Sequence, residues 1–189
     1  MSGVYLHVKA ILLPALFMIV LATTLPAQTC REVVRDASGR IVQTIERQKQ
    51  NGGTERAVIR DASGRITGTA TTQASGGSTT QTQYRDASGR LTGSATTNAA
   101  SSGHSRTTYR DASGRVAGSA STNRFGSTGT QTRFRDSSGR FAGSETTSGN
   151  GTMIATRRDG SGRVTGNSTG SGACATRTRV PLPPTGAKK

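Results

Sequence analysis

The phrase Arg-Asp-x-Ser-Gly-Arg occurs six times, beginning at Arg35, Arg60, Arg85, Arg110, Arg135 and Arg158. The spacing is 25 residues for four steps and 23 for the last. A fixed period of this length marks one supersecondary unit copied along a chain. All six Asp residues of the protein lie inside the phrase. Asp is therefore not a general solvating residue here; it has one repeated task.

The local chemistry names that task. Asp at the head of a tight turn accepts hydrogen bonds from backbone N–H groups just ahead of it, and Gly three positions later supplies the positive φ that side chains resist. The predicted turn residues are Asp36 and Gly39, Asp61 and Gly64, Asp86 and Gly89, Asp111 and Gly114, Asp136 and Gly139, and Asp159 and Gly162. The flanks are rich in Thr, Val, Ile, Tyr and Phe with a period of two, as strands are. Each unit thus reads as strand, turn, strand.

Columns counted from the Asp extend the reading. Two residues before it stand Val34, Ile59, Tyr84, Tyr109, Phe134 and Arg157. Five after it stand Ile41, Ile66, Leu91, Val116, Phe141 and Val164. If Asp pairs with Gly across the turn, these two apolar columns face each other on one side. Seven after the Asp stands Gly in five of the six units, which permits close approach of another backbone. Nine after it the residues are mostly small.

Arg flanks each turn. Arg60 and Arg65, Arg85 and Arg90, Arg110 and Arg115, and Arg135 and Arg140 form two basic rows when the units are in register. Solvated surface charge with local Asp pairing is one reading; a ladder for polyanions is the other. The net charge of +15 favours anionic partners. Hydrophobic residues are 31 % of the chain and aromatics 4 %, with no Trp. That is too little apolar material for a thick core, and it points to a thin repetitive fold or to disorder. A lone monomer is expected to need a staple or a neighbour.

The ends are written differently. Residues 1–27 combine one Lys, the apolar run Ala10–Ala22 and a small residue at Ala27. This is the layout of a cleaved secretory signal peptide, too short for a comfortable membrane span. Residues 28–170 are the six-unit array, and 171–189 a Cys-containing end with a Pro-rich basic tail. The first unit lacks the Gly and the last carries Arg157 in the apolar column, as capping units do. The only cysteines, Cys30 and Cys174, flank the array. In an exported chain they should oxidise, within one molecule if the array curls into a closed sheet, or between molecules if it runs straight. Leu182–Gly186 matches the L-P-x-T-G sorting pattern, but only Ala-Lys-Lys follows, so a plain tail is expected. Asn150 and Asn167 head formal glycosylation sequons. His7 and His104 stand alone, so neither a metal set nor a nucleophile with its base is expected, and no cofactor or enzyme activity.

The stretches Asp36–Ile41, Asp61–Ile66, Asp86–Leu91, Asp111–Val116, Asp136–Phe141 and Asp159–Val164 resemble the YD, or Rhs, repeat of large bacterial surface and toxin proteins. That resemblance implies an Asp-Gly-Arg hairpin in a β-sheet. Here the Tyr stands two residues before the Asp, and the chain is too short to enclose a cargo, so the hairpin is carried over and the shell is not. The layout is also similar to that of secreted curli-type subunits, which implies self-association, although their Gln/Asn signature is missing.

The expected fold is all-β: units of about 25 residues forming a β-solenoid or a β-meander sheet or closed barrel, after an N-terminal signal helix. The expected role is that of a secreted, periplasmic or cell-surface structural or adhesive protein whose partner is itself. The alternative is a monomeric module for anionic polymers such as glycan, lipopolysaccharide or DNA. No small-molecule substrate is expected, and membrane contact only through the signal peptide.

Overall fold

The computed structural model describes residues 29–100, 103–149 and 152–172. The signal segment, Cys174 and the tail lie outside them. Twelve strands follow one another: β1 (Thr29–Asp36), β2 (Ile41–Lys49), β3 (Glu55–Asp61), β4 (Ile66–Ala74), β5 (Thr79–Asp86), β6 (Leu91–Ala99), β7 (Ser105–Asp111), β8 (Val116–Phe125), β9 (Gly129–Asp136), β10 (Phe141–Ser148), β11 (Met153–Asp159) and β12 (Val164–Gly172). Each pairs antiparallel with the next, and β1 pairs with β12, so the meander closes into a barrel. The solenoid is excluded. The end units are not caps either; they are neighbours that finish the ladder.

The register is the same at every junction between hairpins. Asp36, Asp61, Asp86, Asp111, Asp136 and Asp159 lie opposite Gly166, Gln43, Gly68, Gly93, Gly118 and Gly143. Thr82 faces Ala95, and Ala95 faces Tyr109, the repeat equivalent of Tyr84. Each hairpin therefore steps two residues along its predecessor. Ala155 facing Ser168, which faces Val34, carries the same step across the closure. A constant step is what a tilted, closed barrel needs.

Loop length decides which column points inward. The Asp N–H donates to the carbonyl of the second Arg, as in Asp86 to Arg90 at 3.0 Å, while Gly89 N–H returns to the Asp86 carbonyl at 3.0 Å. Asp thus pairs with Arg, not with Gly. One further residue of loop turns the first residue of the next strand outward, and the bulge that follows restores the inward face from the Gly column on. The expected apposition of the two large columns is therefore wrong. Leu91 lies opposite Arg85 on the outside, and a bulge then brings Gly93 opposite Tyr84. Ile41, Ile66, Leu91, Val116, Phe141 and Val164 are 37–46 % exposed.

The interior is built by setting large beside small. Tyr84 stands between Gly93 and Ala70, Tyr109 between Gly118 and Ala95, and Phe134 between Gly143 and Ala120. These Tyr, Phe and Ala residues are buried, with Val34 and Ile45, in one cluster. In the middle units the Gly permits this approach: a Cβ on Gly68, Gly93 or Gly118 would lie 2.5–2.6 Å from the Arg85, Arg110 or Arg135 carbonyl of the next hairpin. Below this layer, hydroxyl pairs Thr72–Thr82, Thr97–Thr107 and Thr122–Thr132 bond at 2.8–2.9 Å and satisfy one another away from water.

The seam where the ends meet is charged inside. Arg157 occupies the aromatic position, and its neighbour in the Ala position is Glu145, bonded to it at 3.0 Å. Arg47 sits 3.7 Å from Glu32 and 3.6 Å from Glu55. Sequence reading took Arg157 for an end-unit irregularity; it is half of a compensated pair. Glu145→Ala should strand Arg157 and cost about 1–3 kcal/mol, less than for a fully buried pair because Arg157 keeps some solvent contact. Glu145→Ala with Arg157→Tyr recreates the Ala–Tyr pair of the middle units and should recover most of that loss in urea denaturation. A double variant as weak as the single would refute the large-beside-small rule.

Candidate functional site

All six hairpin turns lie at one end of the barrel; the connectors 50–54, 75–78 and 126–128, the strand ends Ala99, Ser105, Ser148 and Met153, and both ends of the described chain lie at the other. In every turn the Asp Oδ1 accepts the backbone N–H of the Ser two residues on and of the Arg four on, at 2.9–3.0 Å. Gly39, Gly64, Gly89, Gly114, Gly139 and Gly162 all hold φ between 80° and 86°. The predicted turn residues are thus placed as a type I turn with a Gly bulge.

The two Arg rows separate into different jobs. The Arg before each Asp folds over its own turn. Nη1 of Arg35, Arg60, Arg85, Arg110, Arg135 and Arg158 donates to the carbonyl of the turn Gly at 2.7–3.0 Å. The Arg after each Gly contributes only its backbone to the turn. The side chains of Arg40, Arg65, Arg90, Arg115, Arg140 and Arg163 are exposed and enter no hydrogen bond or ion pair among the described residues. Directly behind each comes an exposed apolar side chain, from Ile41 to Val164.

Of the eight Arg residues predicted to bind polyanions, Arg60, Arg85, Arg110 and Arg135 are turn braces, and Arg65, Arg90, Arg115 and Arg140 are free. Arg40 and Arg163 were missed because the end units were read as caps. Closure puts them on the same ring, and the signal that finds them is the repeated phrase itself. With twelve Arg and six Asp, the rim carries a formal +6.

The outer wall below the rim is mostly polar, with Gln81 and Gln83 on β5, Arg106 and Thr108 on β7, and Gln131 and Arg133 on β9 alternating with buried neighbours, and Ile154 and Phe125 as scattered apolar exceptions. This is the inverse of the apolar band that a lipid-spanning barrel presents. Among the described residues no group of three His, Cys, Asp or Glu converges to hold a metal. His104 Nδ1 lies 2.7 Å from Asn123 Oδ1 at the connector end. No known protein family, curated protein or solved structure matches the chain, so the site is read from its own geometry.

The Ser hydroxyls hold the carboxyls of Asp36, Asp86, Asp111 and Asp159 below the usual Asp range, helped by the backbone bonds. A depressed folded-state value stabilises the barrel above the unfolded value of about 3.9. That contribution disappears as pH falls through the folded values. The melting temperature should be flat from neutral pH to about pH 4 and drop below it, and Asp86→Asn should shrink the drop.

Proposed function

We propose that the protein is an exported, rigid barrel that binds polyanions through its arginine rim. One observation carries this reading. The second Arg of the phrase bonds to the turn through its backbone N–H and carbonyl, which any residue but Pro would supply, yet all six copies are Arg whose exposed side chains enter no hydrogen bond or ion pair among the described residues. The self-associating reading has less support, because closure pairs every strand and leaves no open edge for sheet growth. Export, to the periplasm, cell surface or medium, rests on the leader-like segment 1–27.

Binding of a double-stranded oligonucleotide, used as a polyanion of known charge spacing, should weaken linearly in log–log form as salt rises. Replacing Arg40, Arg65, Arg90, Arg115, Arg140 and Arg163 together by Gln should cost at least ~10-fold in affinity and flatten the salt slope, with melting temperature unchanged. Salt-independent binding would sink the proposal.

We also propose that Cys30 and Cys174 form an intramolecular bridge. Cys30 is buried on β1 opposite Gly172 of β12, and Cys174 is two residues further along. Closure thereby supports the curled arrangement over the straight one. Non-reducing electrophoresis should show a monomer, and reduction should lower stability by up to about 5 kcal/mol on chain-entropy grounds. A disulfide-linked dimer would refute it.

A further inference from the structure

The geometry points to a flat anionic lipid surface, engaged end-on by all six hairpin tips at once, as the partner of the rim. This inference rests on the polyanion reading and goes beyond the expectation that only a leader touches membrane. The identical register at all six junctions, closure included, sets the free Arg residues at one height around one end of the barrel. Neighbouring tips are two strands apart, or ~10 Å. Tips across the ring are separated by more than the ~8 Å Debye length of physiological salt. A linear polyanion laid on one arc therefore gains little from the opposite arc. A plane meets every tip.

A second observation favours lipid over a solvated polymer. The column behind the free Arg is apolar in all six units, and its members are exposed outside the barrel, where they pack no core. Each follows its Arg by one residue, or ~3 Å, within the depth of a headgroup layer. Phosphate for the guanidinium and a less polar layer beside it suit this pairing, whereas a hydrated polymer uses only its first half. The polar outer wall keeps the contact peripheral.

Planar and linear partners are separated by the position of the Arg residues removed, at equal number. Around the ring the order is Arg40, Arg65, Arg90, Arg115, Arg140, Arg163 and back to Arg40. Replacing Arg65, Arg90 and Arg115 by Gln leaves three adjacent tips intact. Replacing Arg40, Arg90 and Arg140 by Gln leaves three that are never adjacent. Among the described residues every strand pairs with two others in the closed ring, so residues 28–189, which hold all twelve strands, serve as the test protein. The probes are vesicles of phosphatidylcholine with about a third phosphatidylglycerol, and the double-stranded oligonucleotide in parallel. On vesicles, both triple variants should lose the same ~100-fold, at roughly fivefold per guanidinium. On the oligonucleotide, the variant with three adjacent tips should bind much better than the alternating one. Oligonucleotide binding without vesicle binding overturns the lipid inference and leaves the polyanion reading standing. Vesicle binding that tells the two triples apart, or ignores both, also overturns it. Binding to neither probe removes the polyanion reading as well.

Discussion

One carboxylate oxygen at each hairpin tip accepts two backbone N–H groups, and the loop length it sets propagates through the whole fold. The Asp86 oxygen reaches Ser88 N and Arg90 N, which places Ala87, Ser88 and Gly89 in the loop and pairs Asp86 with Arg90. A loop shorter by one residue, with no bulge, would slide the next strand by two residues and bring Leu91 inside opposite Tyr84. Six large pairs would then compete for one interior. The three-residue loop and its bulge bring Gly93 to Tyr84 instead. Every match of a ring to a small residue depends on that register, and so does the two-residue step that lets β12 return to β1.

The turn itself was legible in the sequence, because Asp, Ser and Gly at these spacings admit few backbone shapes. The close-approach role of the Gly column was legible for the same reason. Parity was not. The columns containing Tyr84 and Leu91 are equally apolar, and hydrophobic patterning cannot show which of two such columns faces in when one loop residue decides. Closure was legible only as one alternative, through the two cysteines that flank the array. The first and last units look irregular in isolation, and irregular end units read naturally as caps. Arg157 in place of an aromatic is explained only by a partner on another strand, and nothing in the structure explains Gln43 in place of Gly. Glu145 and Arg157 are twelve residues apart and sit in different columns, so nothing local announces that they belong together.

The candidate site was half legible for a related reason. Sequence columns show that Arg recurs on both sides of the turn, but they do not show what each guanidinium touches. The first Arg reaches back over the loop to the Gly carbonyl, four residues on. That carbonyl points out of the tip with no strand to receive it, and a charged donor is a strong way to satisfy it. The row is therefore structural, although its exposure resembles that of its partner row. Only the second row is left for an external ligand.

The two ends of the barrel obey different rules, and this bears on where function resides. The connector end is written in five ways, from the short 126–128 to the longer 100–104, with Gly, Ser, Asn and His in no fixed order. Those segments need only join adjacent strands. The tip end is written once and copied. Asp, Ser and Gly in that copy are accounted for by backbone geometry, and the first Arg by its carbonyl. The side chains of the second Arg and of the apolar residue behind it have no comparable duty: the first enters no hydrogen bond or ion pair among the described residues, and the second is exposed on the outer wall. A fold built to close and nothing more would vary at these two places as freely as it varies at the connectors. Their sixfold repetition is what the proposed partner, meeting all six tips together, would require.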